Sequence, residues 1–202
     1  MNEIIENYLS DSIHSFRNYK KLAERAIDQV SDDDFVRLID QESNSIAVIV
    51  KHIAGNLVSR WTDFLTTDGE KPTRDRDAEF ELIKDTRESL IDFWERGWKE
   101  LFGALEPLTA EDLSRKVTIR GEPHTVVEAI NRQLSHYSYH IGQIVFLAKH
   151  FQAGQWKTLS IPKNRSAEFN KFLSERKPEG NVTAGRMEAP AEFVKEKKRG
   201  GE

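Results

Sequence analysis

No cysteine occurs in the 202 residues, so disulfides, thiolate metal ligands and a cysteine nucleophile are all excluded. Any thiol chemistry would have to bring its thiol with the substrate. Positive charge is not in excess: 30 lysines and arginines face 34 acidic residues, a net charge of −4. That balance argues against a domain built to neutralise nucleic-acid phosphates. No apolar run approaches the ~20 residues that span a bilayer, and the opening MNEIIENYLSD is acidic where a secretory leader would be basic and then apolar. Internal repeats of solenoid period are also missing. These absences lead to the expectation of a soluble, cytoplasmic protein with no nucleic-acid and no membrane partner.

What is present is helical patterning. From Asn2 to Val30, the residues Ile5, Leu9, Ile13, Phe16, Leu22, Ala26 and Val30 recur at three-and-four spacing and predict a first long helix. Ser31 with Asp34 predicts a short capped turn, and Ser45 is the N-cap of a second long helix reaching about Thr66. The Gly-, Pro- and charge-rich segment Thr66 to Asp77 reads as an exposed connection. A third helix is expected from about Phe80 to Leu105, ending before Pro107. Its Trp94 and Trp98 share a face and read as core.

Val117, Ile119 and Arg120-Gly121-Glu122-Pro123 allow either a small hairpin or an irregular excursion. Thr125 and Glu128 then form a capping box for a fourth long helix to about Phe151. The fold class is all-α: a four-helix bundle with short extra helices. Residues 1–177 form one domain, closed by a strap around Trp156, Leu159 and Ile161 and a short helix from Ser166. Residues 178–202 are expected to be a mostly disordered tail, because few large apolar groups are left to offset the entropy of ordering. The Lys197-Lys198-Arg199 run belongs to that tail, whose five acidic and five basic residues balance.

The chemistry concentrates in histidines. His136 and His140 lie four apart on the fourth helix, roughly 6 Å along its axis and on one face. His52 sits on the second helix beside its apolar stripe, so packing of the two helices could bring it to the pair. Spacing alone leaves two readings open, a shared metal or hydrogen-bonded core histidines. Three neutral imidazoles would make a nitrogen-donor site for a divalent transition metal with coordination positions left open. Unperturbed rings, with a pKa of about 6.5, would release such a metal as pH falls through about 6. His14, His124 and His150 lack such companions and read as surface or packing residues. Asn56 and Gln143 lie one turn from the candidate ligands and could reach a ligand or serve packing, while Tyr137 reads as core.

The words VKHIAGN around His52 and HYSYHIGQI around His136 and His140, set within four long helices, resemble the DinB/YfiT-like superfamily over roughly Asn2 to Ile161. Ile53, Asn56 and the run Gly142-Gln143-Ile144 add to the likeness. The resemblance implies an up-up-down-down bundle, a metal held by His52, His136 and His140 (zinc or nickel first among the choices), and a homodimer. It also implies kinship with bacillithiol- and mycothiol-dependent S-transferases. The expected function is therefore transfer of a low-molecular-weight thiol to a small electrophile. The alternatives are metal-dependent hydrolysis and a non-catalytic, stress-related metal-binding dimer. A carboxylate beside the triad would favour hydrolysis; a pocket for an anionic thiol, with Arg60 or Lys51 nearby, would favour transfer.

Overall fold

The computed structural model describes residues 2–176 and 188–194. The chain divides into two compact units, Met1–Gln152 and Ala153–Glu202. The first holds four long helices: α1 (Asn2–Ile27), α3 (Ile46–Trp61), α4 (Arg87–Leu105) and α5 (Val126–Phe151), with the short α2 (Asp32–Val36) between α1 and α3. Around the bundle the packing runs α1, α5, α3, α4 and back to α1. The fold is thus the all-α bundle that the periodicity predicts. Among the described residues, no helix is long and apolar enough to cross a membrane.

α3 is the central element. Only Lys51 and Val58 of its 16 residues escape full burial, because its sequence is apolar or small on almost every side. Ser45 caps it by accepting from the Val48 amide at 3.2 Å. It stops at Trp61, short of the expected Thr66: Thr62 turns extended and Asp63 takes a left-handed φ of 48°, a C-terminal conformation that Asp tolerates. Gly97 lets α4 approach closely, since a Cβ there would meet Leu57 Cβ at 2.9 Å and the Ala54 carbonyl at 3.1 Å.

Trp94 and Trp98 are wholly buried, and Phe16 sits among Trp61, Trp98 and Tyr137 with ring centroids 5.9–6.5 Å apart. Each large side chain removed from water in this way stabilises the fold by about 1.5–3 kcal/mol before its entropy cost.

α4 begins at Arg87, not near Phe80. Thr86 and Ser89 form a capping box that starts the helix there, Ile83 is exposed outside it, and Phe80 closes a separate 3-10 turn, Asp77–Phe80. The hairpin alternative is the one realised, as β1 (Lys116–Ile119) and β2 (Glu122–Thr125) pair antiparallel with Ile119 opposite Glu122. Arg120 and Gly121 link them, both left-handed at φ 57° and 79°, the two-residue geometry that matches strand twist. Thr125 and Glu128 then cap α5 reciprocally, as the T-x-x-E spacing predicts.

The connection from residue 66 to 77 is largely exposed, as expected, with only Gly69 buried, and it is anchored as well. Gly69 donates to the Thr118 carbonyl at 2.7 Å and its own carbonyl receives Ser59 and Arg60. The Asp68 carboxylate accepts from the amides of Arg120 and Gly121 at 2.9 and 2.8 Å. A loop rich in charge reads as solvated from composition, but here its charges serve as its anchors.

In the second unit, α6 (Ser166–Glu175) carries Phe169 and Phe172, which pack against Phe193 and Ala189 of a helical segment at 188–194. Arg176 pairs with Glu192 at 2.7 Å. Residues 188–194 lie within the stretch expected to be mostly disordered, and there Phe193 finds apolar partners on α6. The rest of that stretch, including Lys197-Lys198-Arg199, lies outside the described residues.

Candidate metal centre

The packing of α3 against α5 brings His52, His136 and His140 together, with one ligand atom from each lying within 4.8 Å of the others. His52 and His140 are buried and His136 is half-buried. Each ring is held from behind through Nδ1. His52 Nδ1 lies 2.8 Å from Glu79 Oε2, His140 Nδ1 2.7 Å from Gln143 Oε1, and His136 Nδ1 3.4 Å from Gln133 Oε1. A carboxylate or amide oxygen can only accept, so the protons sit on Nδ1 and the lone pairs are left on Nε2.

Those lone pairs face one another. His52 Nε2 and His136 Nε2 are 3.3 Å apart, and His140 Nε2 is buried with no hydrogen-bond partner. Two acceptors at that distance repel unless a proton or a cation lies between them. On His136 a proton is disfavoured: burial, then the charges of His140, His52, Arg60 and Arg74, push it down to about 3. Burial likewise pushes His140 down to about 4, against the Gln143 hydrogen bond. Three convergent ring nitrogens, one of them orphaned and buried, fit a divalent transition metal, and these residues could hold one.

Glu79 supports the centre and is invisible to motif reasoning. Its Oε1 accepts from Arg74 Nε at 2.7 Å, and its Oε2 accepts from Arg74 Nη2 at 2.9 Å as well as from His52. The side chains of Arg74 and Glu79 are only 5% and 6% exposed. Burial alone would raise the Glu79 carboxyl, but the His52 and Arg74 hydrogen bonds and the Arg74 charge outweigh it, and it lies below the ordinary range. Gly55, one turn after Lys51 on α3, makes room for this carboxylate, because a Cβ there would overlap Glu79 Oε1.

Gly55→Ala should therefore reverse the usual helix rule. Alanine in a helix interior normally stabilises by about 0.5–1 kcal/mol over glycine. Here overpacking should cost about 1–3 kcal/mol and loosen His52, seen as a lower melting temperature and weaker metal retention. A variant that melts higher than the parent would refute the crowding.

The centre opens into a cavity of about 410 Å³. Arg60, Arg74, Arg76, Arg120 and Arg132 line it, with Asn56, Gln133, Phe80 and Tyr139; among the described residues no carboxylate lines it. Phe80 lies tilted against His52 with ring centroids 5.0 Å apart, and Tyr139 lies tilted against His140 at 4.1 Å. Asn56 does reach the cavity, while Gln143 braces His140. Tyr137 is core: it receives Trp61 Nε1 at 3.2 Å and donates to Asn56 Oδ1 at 3.0 Å. Arg60 is at the site. Lys51 is engaged elsewhere, with Asp85 at 2.9 Å and the Glu81 carbonyl at 2.7 Å. His14, His124 and His150 stay apart from the triad; His14, for instance, hydrogen-bonds the Ser10 carbonyl at 2.7 Å.

Neither the curated proteins nor the solved structures include a match to this sequence. Residues 3–165, the bundle with all three histidines and every cavity-lining side chain, match a family described as protein of unknown function, DUF1572, and the chain belongs to that family.

Proposed function

We propose that this protein is a metal-dependent enzyme, a thiol S-transferase acting on small electrophilic molecules, with His52, His136 and His140 holding a zinc or nickel ion. The observation that carries the reading is the three Nε2 atoms turned toward one another, each ring braced through Nδ1. A divalent ion held there lowers the pKa of a coordinated thiol and so supplies a nucleophile at neutral pH. The chain contributes orientation. Glu79, Gln133 and Gln143 fix the ring planes, and Phe80 and Tyr139 cover the faces of His52 and His140. Asn56, its oxygen occupied by Tyr137, has its amide N–H groups left to offer a substrate.

The absence of cysteine fits a thiol brought in as co-substrate, of which bacillithiol is the example the DinB/YfiT likeness suggests. Hydrolysis draws less support, because Glu79, the carboxylate at the triad among the described residues, is bound at both oxygens and is not free to act as a base. A homodimer, if formed, would not use Trp94 and Trp98, which are interior; Tyr139 and Phe146, two turns apart on α5, are exposed.

The test is elemental analysis of protein purified without an affinity-column metal, followed by turnover of an electrophile panel with bacillithiol or cysteine as donor. One metal per chain with thiol-dependent turnover is expected. Metal without turnover would favour the non-catalytic reading, and protein that neither carries nor takes up metal would overturn both.

Burial also sets the pH response. The His140 and His136 rings stay neutral to about 4 and about 3 and keep their lone pairs there, so protonation of these two ligands should not release the metal at the pH of about 6 expected of unperturbed histidines. For the metal-free protein the sign is the same. The folded pKa values lie below the unfolded value of about 6.5, so this contribution to stability is complete above pH 6.5 and is lost as pH falls toward 4 and 3. Metal content after dialysis at stepped pH checks it; complete release by pH 6 would show that the rings behave as exposed ones.

A further inference from the structure

The cavity in front of the histidines carries charge that the metal centre does not use. Five guanidiniums line it, and among the described residues the carboxylates that meet them are two, Glu70 and Glu79. Glu79 serves Arg74, while Glu70 is shared by Arg60 at 3.0 Å, Arg120 at 3.1 Å and Arg74 at 3.4 Å. Arg76 and Arg132 are left over. Among the described residues neither has a carboxylate or carbonyl partner; Arg76 lies over the Phe80 ring at 5.0 Å. This excess of three positive charges stands in a chain whose net charge is −4, so it is local to the cavity.

Position tells the same story. Arg132 is one turn before His136 on the face of α5 that carries His136 and His140. Arg76 immediately precedes the 3-10 turn that holds Glu79 and Phe80 against His52. The two unpaired guanidiniums thus come from the two sides of the cavity that also supply or brace the histidines.

A second observation points inward independently of charge. Asn56 is 4% exposed and lines the cavity, and the chain Trp61 to Tyr137 to Asn56 Oδ1 fixes which way its amide faces. Its amino group has no partner among the described residues. A donor that opens on the cavity from a buried side chain, with its acceptor end locked, is suited to an acceptor atom on a ligand.

We propose that the cavity takes a small organic anion whose carboxylate or phosphate group is received by Arg76 and Arg132, with Asn56 donating to an acceptor nearer the histidines. The pairing of planar guanidiniums with a planar or tetrahedral oxyanion is bidentate and directional, which a lysine would not reproduce. A cavity of 410 Å³ suits a molecule of metabolite size. The inference deepens the transferase reading by giving its substrate or co-substrate a charge, and it rests on that reading only for which end faces the histidines.

The test uses succinate, inorganic phosphate and neutral succinamide as probes, titrated calorimetrically into the full chain, metal-free and zinc-loaded, at low salt. Succinate or phosphate should bind at least ~10-fold more tightly than succinamide. The double variant Arg76→Ala with Arg132→Ala should abolish that preference, whereas Arg115→Ala, which removes a guanidinium paired with Asp112 outside the cavity, should preserve it. No binding of either anion to the parent, or an undiminished preference in the double variant, would overturn the proposal. Anion binding that needs both arginines in a protein that takes up no zinc would remove the metal reading and leave this one standing. Zinc uptake with equal anion affinity in parent and double variant would do the reverse.

Discussion

His136→Ala should weaken divalent-metal binding by more than ~100-fold, beyond the ~10–100-fold that losing an outer bracing partner costs, while leaving the helical fold intact. Two nitrogens would remain, and His52 Nε2 would no longer face another acceptor at 3.3 Å. The ring is half-buried at the cavity, not in the aromatic core, so its removal opens space that water can fill.

The metal-free variant should moreover resist acid better than its parent. His136 is pushed down to about 3, so between about 6.5 and 3 the unfolded chain binds a proton that the folded chain refuses. That difference costs up to ~1.4 kcal/mol per pH unit, and the variant lacks it. Competition titration with a chromophoric chelator reads the affinity, and urea melts at pH 7 and pH 5 read the linkage. Unchanged metal affinity would remove His136 from the centre. An unchanged pH slope would mean that the ring is not desolvated.

The helices and the triad were legible in the sequence for the same reason. Both depend on spacing along one element, which a list of residues preserves: Thr125 and Glu128 three apart make a cap, and His136 and His140 four apart share a face. His52 could be added because its neighbours mark it as interior. The supports of the site were not legible, because they are chosen by tertiary contact. Glu79 and Arg74 lie in a stretch of charged residues that composition assigns to solvent, yet both side chains are nearly inaccessible. Gln133 and Gln143 stand three residues from the histidines they brace, a spacing too common to single them out. One signal was available: Gly55 within an otherwise apolar, helix-forming run suggests that something approaches the backbone there, and that group is Glu79. The start of α4 is hidden in the sequence because Phe80 and Ile83 extend its apolar pattern, whereas the Thr86–Ser89 box decides where the amides are satisfied.

Glu79 carries the largest expected effect on stability. Glu79→Ala deletes the acceptor of both Arg74 contacts and of His52 Nδ1, leaving a buried guanidinium with only the longer Glu70 contacts at 3.4 and 3.5 Å. Breaking a buried pair from one side typically costs about 3–5 kcal/mol, and the residual Glu70 contacts place this case toward the lower end. At ~2–4 °C per kcal/mol for a domain of this size, the melting temperature should fall by roughly 6–12 °C.

Glu79→Gln separates the two roles. The amide keeps the volume but cannot accept at both ends, so the stability loss should be smaller while metal affinity still falls ~10–100-fold through the loosened His52 ring. It should also remove acid sensitivity of a different kind from that of His136. The Glu79 pKa is depressed in the fold, so its contribution is present above the unfolded carboxyl value of about 4.3 and is lost as pH falls through the lower folded one. Thermal melts of the parent, Glu79→Ala and Glu79→Gln from pH 7 to pH 3, with metal content measured alongside, resolve these effects. Equal metal affinity in Glu79→Gln and the parent would show that Glu79 holds Arg74 alone, and that His52 keeps its orientation through the packing of α3.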